Sequence, residues 1–163
     1  LIPMLTDRDV PMKTAAQVAG TIGMSVIVGR LLTGYLIDRF WAPGVAVALL
    51  SLPVISCVIL ASGFGGIPAA LFAAVLVGLA AGAEFDLMSF LVSKYFGQRH
   101  YGMIYSCLYA VFKLSAGIGA PLFGLSFDLT GSYGFILYCA AGSLLIGSLL
   151  MLILGPYRSE APT

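Results

Sequence analysis

The sequence predicts an all-α integral membrane protein with five spanning helices. Three observations predict it. Of 163 residues, 60% are hydrophobic and 9% are charged, with mean hydropathy +1.05; a soluble domain carries about 25% charged residues. The apolar residues gather in runs close to the ~20 residues that cross a bilayer as a helix. No run shows the ~10-residue alternating pattern of a barrel strand.

The first span covers roughly 14–37, TAAQVAGTIGMSVIVGRLLTGYLI, and the second roughly 42–62, APGVAVALLSLPVISCVILAS. The third is longer, roughly 67–93, and contains AGAEFDLMSFLVS. The fourth covers roughly 102–126 and the fifth roughly 133–154. The connections are short: DRFW, SGFGG, KYFGQRHY and FDLTGSY. Pro53, Pro68 and Pro121 fall in or beside spans, and Pro121, after Gly117 and Gly119, is expected to kink the fourth helix. The opening LIPML reads as the exit of an earlier span, so the expectation is the C-terminal piece of a longer protein.

Composition excludes several classes. A net charge of +1 leaves no polybasic surface for nucleic acid. Cys57, Cys107 and Cys139 are odd in number, lie in apolar runs and lack CxxC spacing. Neither a zinc site nor a disulfide framework is expected. The one histidine, His100, lies in a polar loop. There is no nucleophile–base pair, metal cluster or phosphate loop, so no catalytic residue, metal or cofactor is expected.

Basic residues set an expected orientation. One side carries Arg39, Lys94, Arg99 and Arg158; the other carries Arg8 and Lys13 beside Asp7 and Asp9. By the positive-inside rule the tail, 156–163, is cytoplasmic in a multi-pass inner or plasma membrane protein. Five spans then place the N-terminal end outside.

Charges within the spans point to a site. Arg30 lies in VIVGRLLTG and Lys113 in YAVFKLSAG. A charge at bilayer depth costs roughly 2.5–3.5 kcal/mol on insertion scales, so such residues are paired, face water or hold an anion. Gly20, Gly23, Ile27, Arg30, Gly34 and Ile37 share one helical face. Ser106, Tyr109, Ala110, Lys113, Ala116, Gly117, Ala120 and Gly124 form a similar small, polar stripe on the fourth span, with Tyr105 nearby. Arg30, Lys113 and Tyr109 are therefore candidate substrate-binding residues. Glu84 and Asp86 on the third span are candidates for proton coupling or charge balance. Two residues apart, they point about 200° from one another and cannot face one cavity. The four charges sum to zero, which leaves open a purely structural set of ion pairs. Gly78-x-x-x-Gly82 is a close-packing motif.

The stretch GRLLTGYLIDRF resembles the short cytoplasmic motif of the major facilitator superfamily, Gly-x-x-x-Asp-Arg/Lys-x-Gly-Arg, with Gly34, Asp38 and Arg39 in register. Trp41 and Ala42 stand where the family has Gly-Arg. GLSFDLTGSYGFILY resembles the family's junction between its last two spans. The resemblance implies five helices of a six-helix facilitator half-bundle, equivalent to helices eight to twelve of twelve. It also implies a partner N-terminal half-bundle and a gating role for Gly34, Asp38 and Arg39. Arg30, Gly34 and Asp38 further resemble the helix-eight motif of monocarboxylate transporters. The mid-depth Lys113 resembles the helix-eleven lysine of oxalate/formate antiporters, and GAEFDLMSFLVSKYFGQRHYGMIYS is similar to the tenth-to-eleventh junction in that branch. This narrower resemblance implies secondary active transport of small mono- or dicarboxylates by alternating access, as antiport or symport. The alternatives are a carrier of a neutral or cationic solute, a non-transporting membrane sensor or scaffold, and an inactive truncated product.

Overall fold

The computed structural model describes residues 11–62 and 66–155. The expectations for LIPML, for Arg8 with its neighbours and for the tail at 156–163 lie outside the described residues.

Five segments are long and apolar enough to cross a membrane, as expected. They form six helices among the described residues. These are α1 (Met12–Arg39), α2 (Ala42–Leu50), α3 (Leu52–Ser62), α4 (Gly66–Phe96), α5 (Tyr101–Thr130) and α6 (Gly134–Leu150). A 3-10 turn, Met151–Leu154, follows α6. Helices α1, α4 and α5 overrun their hydropathy windows by a few residues. The backbone ladder continues through the polar residues at the membrane boundary, and Arg39 and Lys94 in the last turns of α1 and α4 suit the negative end of the helix dipole.

The second span is broken, which its hydropathy does not signal. Proline 53 has no N–H for the carbonyl of Leu49, and its ring crowds that group. The chain therefore turns at Ser51, whose hydroxyl donates to Ala48 O at 2.9 Å. Pro121 interrupts less: α5 continues as one helix across it. At the far end of α5 the chain stops at Gly131, which has φ 64° and donates its N–H to Phe127 O at 2.8 Å. That left-handed cap favours glycine.

The core is a seam of small residues between α1 and α4. Val18 packs with Ala70 and Ala74, and Ile22 and Ser25 meet Gly78. Val26 and Arg30 then meet Gly82, so the two helices run parallel. A methyl group built on Gly78 would lie 2.6 Å from Ile22 O, and one on Gly82 would run into Val26 O. Gly29 approaches the backbone of Leu79 as closely. The Gly78–Gly82 motif thus does what its spacing predicts: backbones touch where no side chain intervenes.

Helices α2 and α3 run antiparallel to α4. Val45, Ala46 and Leu49 pack with Ala83 and Leu87, and Leu36, Ile37 and Met151 close over them. Nearer the other end, Ser56 Oγ donates to Ala73 O at 3.1 Å. Helix α6 lies along α3. Helix α5 runs antiparallel to α4, and Ser89 Oγ shares a 2.8 Å hydrogen bond with Tyr101 Oη. None of its residues is buried. Up-down alternation brings Arg39, Lys94 and Arg99 to one end. Large apolar side chains such as Leu31, Met103, Ile118 and Ile146 are more than 60% exposed. That surface suits hydrocarbon, and every span satisfies its backbone internally as a helix.

Candidate functional site

The packed face of α1 is Val18, Ser25, Gly29 and Thr33, all buried. Thr33 Oγ1 donates to Gly29 O at 2.7 Å, so no polar atom on this seam is wasted. The face singled out by its glycines is the other one. Gly20, Gly23 and Gly34 have open space where a Cβ would be, and Ile27 and Arg30 are exposed. Ile37 departs from that face: it is partly buried against the cluster of Val45 and Leu87. Arg30 sits at the rim of the seam: its backbone N lies 3.0 Å from the position of a Cβ on Gly82. Its backbone is held close to α4, and the residue is exposed to the space beside the seam.

That space is a cleft of about 350 Å³ lined by Arg30, Phe85, Tyr105 and Tyr109. Helix α5 supplies the tyrosines at four-residue spacing, one face of the helix. Tyr101, Tyr105 and Tyr109 stack in a ladder, with centroids 5.6 Å and then 6.3 Å apart and rings within 15° of parallel. Lys113 extends the ladder by one turn. Its Nζ lies 5.2 Å from the Tyr109 ring centre and 5.9 Å from that of Phe112. Phe85 on α4 closes the group, edge-on to Phe112 at 5.2 Å and tilted toward Tyr109 at 5.9 Å. Tyr109 therefore touches both halves of the site, the arginine cleft and the lysine.

Among the described residues, neither Arg30 nor Lys113 has a carboxylate within 4.0 Å. Lys113 thus sits over aromatic rings, and Arg30 shares its cleft with Phe85, Tyr105 and Tyr109. A cation–π contact is worth about 0.5–2 kcal/mol and offsets only part of the desolvation cost. An anion complements such a charge more strongly than a ring does.

The carboxylates lie elsewhere. Glu84 lines a second, apolar cavity of about 350 Å³ with Met88, Leu108, Phe112 and Met151, among others. Asp86 is half-buried and borders neither cavity. Their divergence follows the 200° spacing. A third cavity, about 530 Å³, is lined by Ala120 and Gly124 of the α5 stripe with Ile22, Val77 and Tyr133. The stripe of Lys113 is thus polar and aromatic near Arg30 and purely apolar beyond it.

Asp38 and Arg39 are exposed in the last turn of α1, and Gly34 lies one turn earlier. No side chain caps the N-terminus of α2. Among the described residues Asp38 makes no hydrogen bond or ion pair.

Phe85 escaped the sequence reading, hidden between the two carboxylates that drew attention. Tyr101, Tyr105 and Tyr109 at period four were a legible signal for the ladder. Among the described residues no cluster of three His, Cys, Asp or Glu could hold a metal.

A bundle of apolar helices with an open, cation-bearing face defines a multi-pass membrane protein of the solute-carrier type. The profile of the Major Facilitator Superfamily matches residues 1–163, and the chain belongs to that family of membrane transporters, which are not enzymes. No curated protein matches the chain.

Proposed function

We propose that this bundle moves small organic anions by secondary transport, with Arg30 and Lys113 as the anion-binding cations and Tyr109 between them. The observation that carries this reading is the absence of a carboxylate beside either cation among the described residues, together with the cleft that Arg30 borders and that Tyr109 links to Lys113. A planar guanidinium suits a bidentate carboxylate, and the ammonium of Lys113 adds a point charge. In alternating access the open face of α1 and α5 packs against a further half-bundle, and the site opens to each side in turn. The resemblance to carboxylate carriers agrees with this assignment.

Uptake into proteoliposomes by the full chain tests it, with radiolabelled monocarboxylates, dicarboxylates, neutral sugars and organic cations as the panel. Saturable uptake or counterflow of carboxylates is the expected result. Uptake confined to sugars or cations overturns the proposal, and ligand binding without counterflow identifies a sensor.

The end bearing Arg39, Lys94 and Arg99 faces the cytoplasm in this reading. In a cysteine-free background, a cysteine at Gln98 is then expected to react only with reagent supplied from inside, and one at Ser132 only from outside. The reverse pattern inverts the topology.

Asp38, exposed and without a hydrogen bond or ion pair among the described residues, serves a contact to a basic group across the gating interface. Asp38→Asn is expected to slow counterflow more than it weakens anion binding. Unaltered turnover at normal expression removes Asp38 from gating.

A further inference from the structure

We infer that the cleft selects carboxylates carrying a planar aromatic group over aliphatic ones of equal charge. The inference rests on the anion-site reading above and concerns the part of the ligand that the cations do not hold. Three of the four residues lining the Arg30 cleft are aromatic. Tyr105 and Tyr109 are stacked within 15° of parallel, with centroids 6.3 Å apart, and border the cleft as successive rungs of the ladder. Phe85, inclined 48° to Tyr109, forms a wall beside it. A carboxylate on Arg30 therefore projects its remaining atoms against ring faces and edges. These are the offset-stacked and edge-to-face arrangements that aromatic pairs prefer.

A second carboxylate would meet electron-rich rings, and a short alkyl chain would leave those rings wet. A cleft of about 350 Å³ has room for one such ring with its carboxylate. The rings are also held in place: Phe112 braces Phe85 edge-on at 5.2 Å, and Lys113 sits 5.2 Å from the Tyr109 ring centre. Rings held by one another in this way lose little freedom on binding.

The test compares phenylacetate with cyclohexylacetate, alike in charge and length but not in π character, by isothermal titration on the full chain in detergent. Each good ring contact is worth roughly 2- to 10-fold in affinity. Phenylacetate is expected to bind about 10-fold more tightly. In Phe85→Leu and Tyr105→Leu that ratio is expected to fall to within about 3-fold, while Tyr105→Phe keeps it. Because the readout is a ratio within one protein, a general loss of stability does not imitate it. Ring-current upfield shifts of bound phenylacetate protons, lost in Phe85→Leu, give a second readout. A wild-type ratio near one overturns the inference and leaves the anion site standing. A ratio that survives both leucine variants overturns the assignment of the rings. Binding of neither acid overturns the inference and the anion site together.

Discussion

Gly82→Ala is expected to destabilise the bundle by about 1–3 kcal/mol and to weaken anion binding at the same time. The added methyl runs into Val26 O and comes within 3.0 Å of Arg30 N. Both are backbone atoms of a helix, so neither can swing aside. The α1–α4 seam must open, and the opening moves the anchor of Arg30. Gly147→Ala on α6 is the contrast, because a Cβ there meets nothing within 4 Å. It is expected to be neutral or stabilising by up to about 1 kcal/mol from helix propensity. Thermal melting in detergent, followed by anion titration on the surviving protein, checks the pair. Equal melting temperatures for the two variants would show that the seam is looser than its geometry.

Arg30→Lys and Lys113→Gln are each expected to lower anion affinity about 30-fold or more, the effect of losing a desolvated charge-assisted contact worth about 2–5 kcal/mol. Arg30→Lys keeps the charge and loses the bidentate fork, so its failure isolates geometry from charge. Folding should be nearly unaffected. Among the described residues no carboxylate lies within 4.0 Å of either cation to be left stranded. The rival reading, with Glu84 and Asp86 as structural partners, expects the opposite order: a large fall in melting temperature first, because a buried charge loses its mate. Measuring both quantities on the same variants separates the two. Normal affinity in a destabilised Lys113→Gln protein would sink the anion site.

The position of Glu84 bears on that rivalry. It borders the apolar cavity with Leu108 and Phe112, while Arg30 borders the cleft with Tyr105 and Tyr109. Helix α5 presents one face to each. Charge balance across the spans is therefore a property of the whole bundle and not of contacts between these residues.

The sequence by itself determined the spans and the alternation that gathers Arg39, Lys94 and Arg99 at one end. It also determined the Gly78–Gly82 contact and the isolation of Arg30 and Lys113 in apolar runs. The physical reason is that burying backbone polar groups in lipid forces helices, and helices convert spacing into faces. Tertiary structure decided the rest. Sequence spacing could not say whether the glycine face of α1 was packed or open. It is open, because the seam with α4 uses Ser25, Gly29 and Thr33 instead. Nor could it say which carboxylate met which cation, since two helices far apart in sequence can rotate to join or separate them. The break at Ser51 was invisible to hydropathy, which is blind to a missing N–H. Phe85 joined the site only because α4 and α5 pack antiparallel at the register that the Ser89–Tyr101 hydrogen bond marks.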